Sequence, residues 1–144
     1  MSEKVKALTE LKTLDGQAAT FTLPVTLTRL DGSTVKVIFT CQAHGKRSWS
    51  KAKQRHIDKI LASNKEQQEQ VDADGAEVPV RLEDAIDRAI SANAGLVMEF
   101  AIGWSLTDDF NLKNLEDLED RFGNTLDQLI KAMDKAVYQG QLGN

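Results

Sequence analysis

The sequence is poor in the features that mark secreted or membrane proteins. Its single cysteine, Cys41, cannot form an internal disulfide bond, which is typical of proteins in a reducing compartment. No apolar run approaches the roughly 18 residues that a membrane-spanning helix needs. The N-terminal residues also lack the apolar core of a signal peptide. We therefore expect a cytoplasmic protein.

Motifs that carry chemistry are also lacking. The sequence has no Gly-rich phosphate loop and no nucleophile elbow. Asp108 and Asp109 are neighbours in sequence, and such pairs rarely converge on one cleft as acid–base catalysis requires. Cys41 and His44 have the spacing of half a zinc site, but only His56 is left to complete it. We expect no enzyme activity, no catalytic residue, no metal and no cofactor.

What the sequence does contain is typical of a globular protein. The 144 residues are 41% hydrophobic and 28% charged, which favours one domain over residues 1–144. Residues 1–70 hold 12 Lys and Arg against 7 Asp and Glu, a net charge of +5. Residues 71–144 hold 6 against 15, a net charge of −9. This asymmetry favours oriented docking to a charged partner, or self-association.

The region around residues 20–42 has the period-two pattern of a β-hairpin. Apolar residues occupy every second position from Phe21 to Leu27, with threonines among the residues between them, and again from Val35 to Cys41, against Lys36, Ile38 and Thr40. Asp31-Gly32 is a strong turn signal between the two runs. Pro24 cannot donate a ladder hydrogen bond, so its strand is expected at an edge or with a bulge.

The rest of the chain predicts helices. Apolar residues recur at helical spacing over about 48–70, 82–102, 112–122 and 125–139, with a loop near 71–79 and a short helix near 4–14. Gly103 is expected to end the second of the four in the left-handed conformation, and Asn111 to cap the third. Thr125 and Gln128 have the form of a capping box. The predicted fold class is α+β: an N-terminal β-hairpin followed by about four α-helices in one compact domain.

A basic stretch in the first long helix leaves a second functional class open. Residues 46–59 interleave Lys and Arg with Trp49, as some nucleic-acid-binding patches do. Trp49 also fits the apolar face of the helix, where it would be buried. A small nucleic-acid-binding protein is therefore kept as the alternative to a protein-binding role.

The C-terminal part of the sequence resembles a known family, the tail assembly chaperones of long-tailed bacteriophages and prophages. The resemblance rests on Gly103-Trp104, Asp108-Asp109-Phe110, Asn111-Leu112, Phe122-Gly123 and the ending Leu142-Gly143-Asn144. Residues 35–50 also resemble the middle part of the family. The run before Asp72 and the linker from there to Pro79 depart from it.

This resemblance implies a role in virion morphogenesis. Proteins of this family bind the tape-measure protein and keep it soluble until tail-tube subunits polymerise around it. Many are also made in a longer frameshifted form whose extension engages the tail-tube protein. The resemblance implies action in the host bacterial cytoplasm, absence from the mature virion and no enzyme activity. The sequence predicts no membrane partner, nucleic-acid binding is kept only as the alternative, and self-association stays open.

We expect the partner to bind an apolar groove with a polar rim, because an amphipathic helix needs such a surface. Phe100 and Trp104 lie next to the acidic link, and tryptophan is enriched at interface hot spots. A place in the core is the other reading for both. The residues predicted to line or support the groove are Phe100, Trp104, Asp108, Asp109, Phe110, Leu115 and Phe122.

Overall fold

The computed structural model describes residues 12–13, 19–69 and 81–140 together with Glu10, apart from the side chains of Asn64 and residues 66–69. The predicted loop near 71–79 and most of the predicted helix near 4–14 lie outside these residues. The described elements are β1 (Thr20–Thr28), β2 (Thr34–Gln42), α1 (Lys46–Glu69), α2 (Leu82–Val97), β3 (Ala101–Trp104), α3 (Leu112–Arg121) and α4 (Thr125–Gln139). The predicted α+β fold class is confirmed.

Strands β1 and β2 form the predicted antiparallel hairpin. Gly32 turns the chain with a positive φ of 88°, and the Asp31 carboxylate accepts hydrogen bonds from the hydroxyl and the backbone N–H of Ser33. These bonds lower the pKa of Asp31. Pro24 lies on the edge strand β1, opposite Ile38 of β2. The backbone N–H and carbonyl of Ile38 both bond to Ser105, on the side away from β1. The missing N–H of Pro24 therefore removes no hydrogen bond from the β1–β2 ladder.

The second predicted helix, residues 82–102, is wrong at its C-terminal end. Helix α2 ends at Val97, and β3 adds a third strand antiparallel to β2, giving the order β1-β2-β3. A short apolar run such as residues 100–102 fits either a helix or a strand. The open edge of β2 decides between them, because its backbone groups need partners, and Gln42 N–H donates to the Phe100 carbonyl at 2.8 Å.

The prediction for Gly103 fails with this helix end. Gly103 lies inside β3, and the C-cap of α2 is Met98 in a right-handed conformation with φ −63°. The pairing of β3 with β2 is interrupted by a register shift at residues 40–41. Because of this irregularity, β3 can begin directly after the turn that follows α2, and Trp104 still pairs with Phe39.

One face of the sheet forms the floor of the core. The inward side chains of β1 and β2 are buried because apolar residues occupy every second position. Helices α2 and α4 contribute half of the remaining buried apolar residues. The buried apolar residues are Leu23, Val25, Leu27, Val37, Phe39, Cys41, Trp49, Ala52, Ala94, Leu96, Val97, Phe100, Ala101, Leu115, Leu118, Leu126, Leu129 and Met133. Burying each larger one contributes about 1.5–3 kcal/mol to folding.

Helices α3 and α4 follow the predicted boundaries closely. Asn111 caps α3 as predicted, with its side-chain oxygen accepting from Asn114 N–H at 2.8 Å. Gly140 ends α4 in the left-handed conformation with φ 64°. None of the helices in the described part of the chain is both long and apolar enough to span a membrane.

Candidate partner-binding groove

Two of the predicted partner-binding residues lie inside the core. Phe100 is 1% exposed and packs edge-on against Trp49, with ring centroids 5.2 Å apart. Leu115 is fully buried on the inner face of α3. Neither side chain presents a surface to a partner, so any contribution they make is to support the surface above them.

The aromatic residues around the acidic link are used mainly to hold the link in place. Trp104 packs edge-on against Phe39 and Phe110, with centroid distances of 6.0 and 5.3 Å. Its Nε1–H donates to the backbone carbonyl of Asp108 at 2.7 Å. The side chains of Asp108 and Asp109 are exposed. The structure thus brings Trp104, Phe110 and the acidic link together at one edge of the sheet.

Phe122 lies apart from this aromatic pair. It is half-buried against the core at the joint between α3 and α4, and its carbonyl accepts from the Thr125 hydroxyl. Among the described residues, its ring makes no aromatic contact with Trp104 or Phe110. The seven predicted residues therefore do not line one continuous groove.

A groove does exist, between α1 and α2. It has a volume of about 580 Å³. From α1 it is lined by Ala52, Arg55, His56, Lys59, Ile60 and Ser63, and from α2 by Ala85, Arg88, Ala89, Ser91, Ala92, Asn93, Gly95 and Leu96, with Glu99 and Leu112 at one end. Its floor, by which we mean the buried Ala52 and Leu96 and the small side chains beside them, is apolar. Four charged residues also line the groove: Arg55, Lys59, Arg88 and Glu99.

The surface near the groove is rich in exposed apolar side chains. Ile57, Ile60 and Leu61 on α1 are 37–61% exposed, and Leu82 and Ile86 on α2 are 75% and 48% exposed. On α1 they lie in the middle of the helix, and on α2 they lie in its first two turns. Large apolar side chains grouped on a surface mark sites of protein interaction.

The charges in the groove are unevenly paired. Arg55 forms an ion pair with Glu99, with Nη2 2.6 Å from Oε2. Arg88 is half-buried, and its Nη2 is inaccessible to solvent and has no hydrogen-bond partner in the part of the chain that is described. Leaving a buried donor unpaired costs about 1–3 kcal/mol. A buried donor of this kind in a folded protein calls for a structural or functional reason.

His56 faces Ala92 across the groove. Burial lowers the pKa of its imidazole, and the charge of Lys59 lowers it further, while the backbone of Ala92 acts in the opposite direction. Burial and the charge of Lys59 thus favour the neutral form of the ring. The groove carries positive charge at Lys59 and Arg88.

The Cys41–His44 pattern does not form a metal site here. Cys41 is buried in the sheet, and burial raises the pKa of its thiol to about 12. The two ring nitrogens of His44 lie 2.8 Å from the Ser48 hydroxyl and from the Glu99 carbonyl. Within the described ranges, no group of three His, Cys, Asp or Glu residues is placed to hold a metal ion.

The basic stretch 46–59 is partly used inside the protein. Trp49 is fully buried and therefore cannot stack on a base. Lys53 pairs with Asp134 at 3.0 Å, and Arg55 pairs with Glu99. These contacts weaken the case for the nucleic-acid alternative, because both the aromatic platform and part of the charge are already engaged.

Sequence reasoning did not identify the groove. Ile57, Ile60 and Leu61 recur at helical spacing on α1 but are exposed, so the apolar face of this helix is longer than the core requires. This excess was a usable signal. Arg88 could not be found in this way, because nothing in the sequence shows that its guanidinium is shielded between two helices.

Comparison with known proteins identifies the family. A family model described as phage tail assembly chaperone matches residues 4–144, nearly the whole chain. Searches of curated proteins and of solved structures give no significant match. The resemblance seen in the sequence is thus confirmed over almost its full length, and the chain belongs to the phage tail assembly chaperone family.

Proposed function

We propose that this protein binds the tape-measure protein and keeps it soluble until tail-tube subunits polymerise around it. Membership of a chaperone family supports a non-enzymatic role with a protein partner. The observation that carries the proposal is the groove between α1 and α2, which has an apolar floor beside exposed isoleucines and leucines. A chaperone for amphipathic helices needs such a surface.

The dimensions of the groove suit one helical segment. Its α1 wall runs from Ala52 to Ser63, which corresponds to about 16 Å at 1.5 Å per residue. A bound helix of about three turns would match this length. The partner's apolar side chains would replace water on the floor, and its polar face would remain in solvent.

The segment from Trp104 to Phe110 forms the proposed edge of this binding surface. Leu112 lines one end of the groove and directly follows the segment that contains Asp108, Asp109 and Phe110. Trp104 fixes this segment through its hydrogen bond to Asp108. In this proposal Phe100 and Leu115 support the surface from below, and the exposed carboxylates form its polar rim.

The remaining parts of the proposal concern the setting. The protein acts in the host cytoplasm during tail assembly and is absent from the finished virion. A longer frameshifted form would carry the additional contact with the tail-tube protein. Both statements rest on family membership and not on the groove.

The test is co-expression with the tape-measure protein from the same tail gene cluster. The tagged wild-type protein should raise the soluble fraction of the tape-measure protein and retain it on a column at moderate salt. Ala89→Tyr should fill the groove and lower retention at least about ten-fold, because the partner's side chains lose their place. Trp104→Ala should also lower retention, because it removes the hydrogen bond that holds the segment around Asp108 at the edge of the groove.

The matched control is Ala62→Tyr. Ala62 is exposed on α1 outside the groove, so this change has a similar cost in helix propensity without blocking the groove. Normal retention by both tyrosine variants would rule out the groove as the binding surface. Retention of nucleic acid alone, decreasing steeply with salt, would support the nucleic-acid alternative.

A further inference from the structure

Arg88 is in an unusual position for an arginine on a helix surface. It lines the groove between α1 and α2, and its Nη2 is shielded from solvent. A guanidinium group offers five N–H donors in a fixed plane and cannot lose its charge. Buried donors of this kind are almost always paired.

No carboxylate of the described residues pairs with Arg88. Glu99, the acidic residue that lines the groove, is already bound to Arg55. The other ion pairs in the described part of the chain join different residues and do not involve Arg88. A positive group thus lies against an apolar floor without a counter-charge.

A second positive charge lies close by. Lys59 lines the opposite wall, one turn of α1 beyond His56, and its charge contributes to the lowered pKa of that histidine. With Arg55 paired to Glu99, the groove combines its apolar floor with two cationic side chains, Lys59 and Arg88. This combination is complementary to an apolar surface that carries negative charge.

We infer that the groove recognises an amphipathic helix with an aspartate or glutamate at the border of its apolar face, and that this carboxylate accepts hydrogen bonds from Arg88. The inference rests on the proposed function and adds the chemistry by which a segment is selected. The carboxylate supplies the counter-charge that Arg88 lacks among the described residues, with Lys59 as a second cation. Because Arg88 Nη2 is closed to solvent, the carboxylate approaches the guanidinium from the groove and bonds to its other N–H groups.

The experiment uses overlapping 25-residue peptides that cover the tape-measure protein of the same tail gene cluster. Binding to the full chain is measured by fluorescence anisotropy. In the tightest-binding peptide, each Asp and Glu is replaced in turn by Asn or Gln. One replacement should weaken binding to the wild-type protein at least about ten-fold, because it leaves Arg88 unpaired again.

The same peptides are then measured with Arg88→Gln and with Arg47→Gln. The amide replacement that weakens binding to the wild type should not weaken binding to Arg88→Gln any further, because the peptide carboxylate and Arg88 act as a pair. Arg47 is an exposed arginine of α1 outside the groove, so Arg47→Gln makes the same change in net charge and should behave like the wild type. Circular dichroism checks that both variants fold.

The outcomes separate this inference from the proposed function. Two results would show that recognition of a carboxylate by Arg88 is wrong, while leaving the chaperone role intact. In the first, a peptide binds but every amide variant keeps its affinity. In the second, the amide replacement weakens binding to Arg88→Gln as much as it weakens binding to the wild type. If no peptide binds although the whole tape-measure protein is retained, or if a second copy of this chain fills the groove in solution, the helical occupant is wrong. Failure to retain the tape-measure protein at all overturns the proposed function itself.

Discussion

At the scale of single residues, the contact that most clearly joins distant parts of the chain is centred on Asp134. Its Oδ1 accepts from Trp49 Nε1 at 2.7 Å and pairs with Lys53 Nζ at 3.0 Å. Lys53 also lies over the rings of Trp49 and Tyr138, at 6.0 and 5.4 Å. One carboxylate of α4 therefore fixes the beginning of α1, which forms one wall of the groove.

We predict that Asp134→Ala lowers the free energy of unfolding by about 1–3 kcal/mol, because it leaves the buried indole N–H without an acceptor. Urea denaturation followed by circular dichroism measures this change. The matched control on the same helix is Asp127→Ala, which removes an exposed ion pair with Lys131 and should change stability by less than about 0.5 kcal/mol. Equal effects of the two substitutions would contradict the assigned role of Asp134.

At the scale of elements, the start of α4 is capped from another helix. The predicted capping box of Thr125 and Gln128 is not formed, because Gln128 N–H donates to the Asn124 carbonyl and the Gln128 side chain donates to the Thr26 carbonyl. The Glu119 carboxylate of α3 accepts instead from Asn124 N–H at 2.7 Å and Leu126 N–H at 2.8 Å. The Glu119 side chain of α3 thus holds the joint between α3 and α4 in place.

Removing this cap should destabilise the joint. Glu119→Ala is expected to cost about 1–2 kcal/mol, since it leaves two N–H groups at a helix start without an acceptor. Asp120→Ala is the control, because Asp120 is the exposed neighbour on the same turn. Hydrogen exchange should show the amides of residues 124 and 126 losing protection in Glu119→Ala alone. Unchanged protection there would exclude the cap.

At the scale of the whole molecule, the pair α1–α2 has two different ends. Near Trp49 and Leu96 the pair is packed into the core, and towards Leu61 and Leu82 its apolar side chains are exposed. The uneven distribution of charge in the sequence is partly neutralised inside this arrangement, because basic residues of α1 pair with acidic residues of later elements. The protein thus has a closed core and an open helical pair.

The free energy of unfolding should decrease in acid because His56, which lies between α1 and α2, takes up a proton. Its pKa is lowered in the folded state, so the unfolded chain binds the proton more readily. The contribution of the neutral ring to stability is present above the unfolded pKa of about 6.5 and is lost as the pH decreases through the lower folded value. Urea unfolding at pH 7.5 and 5.5 should show a smaller decrease for His56→Gln than for the wild type. An identical decrease would show that His56 does not couple to folding.

The sequence by itself determined the elements whose pattern is local. The hairpin follows from strict alternation and the Asp31-Gly32 turn, and α4 from apolar residues at helical spacing that end at Gly140. The family could also be recognised, because its motifs are short and contiguous in the sequence. Each of these features depends on residues that are near one another in the chain.

Only the tertiary structure decided the features that join distant residues. Residues 101–104 form a strand because the edge of β2 required a partner. Glu119 replaced a local cap because α3 brings its carboxylate to the start of α4. The groove arises in the same way, from one face of α1 placed beside one face of α2. Periodicity shows that a face is apolar, but what covers that face depends on contacts between residues far apart in sequence.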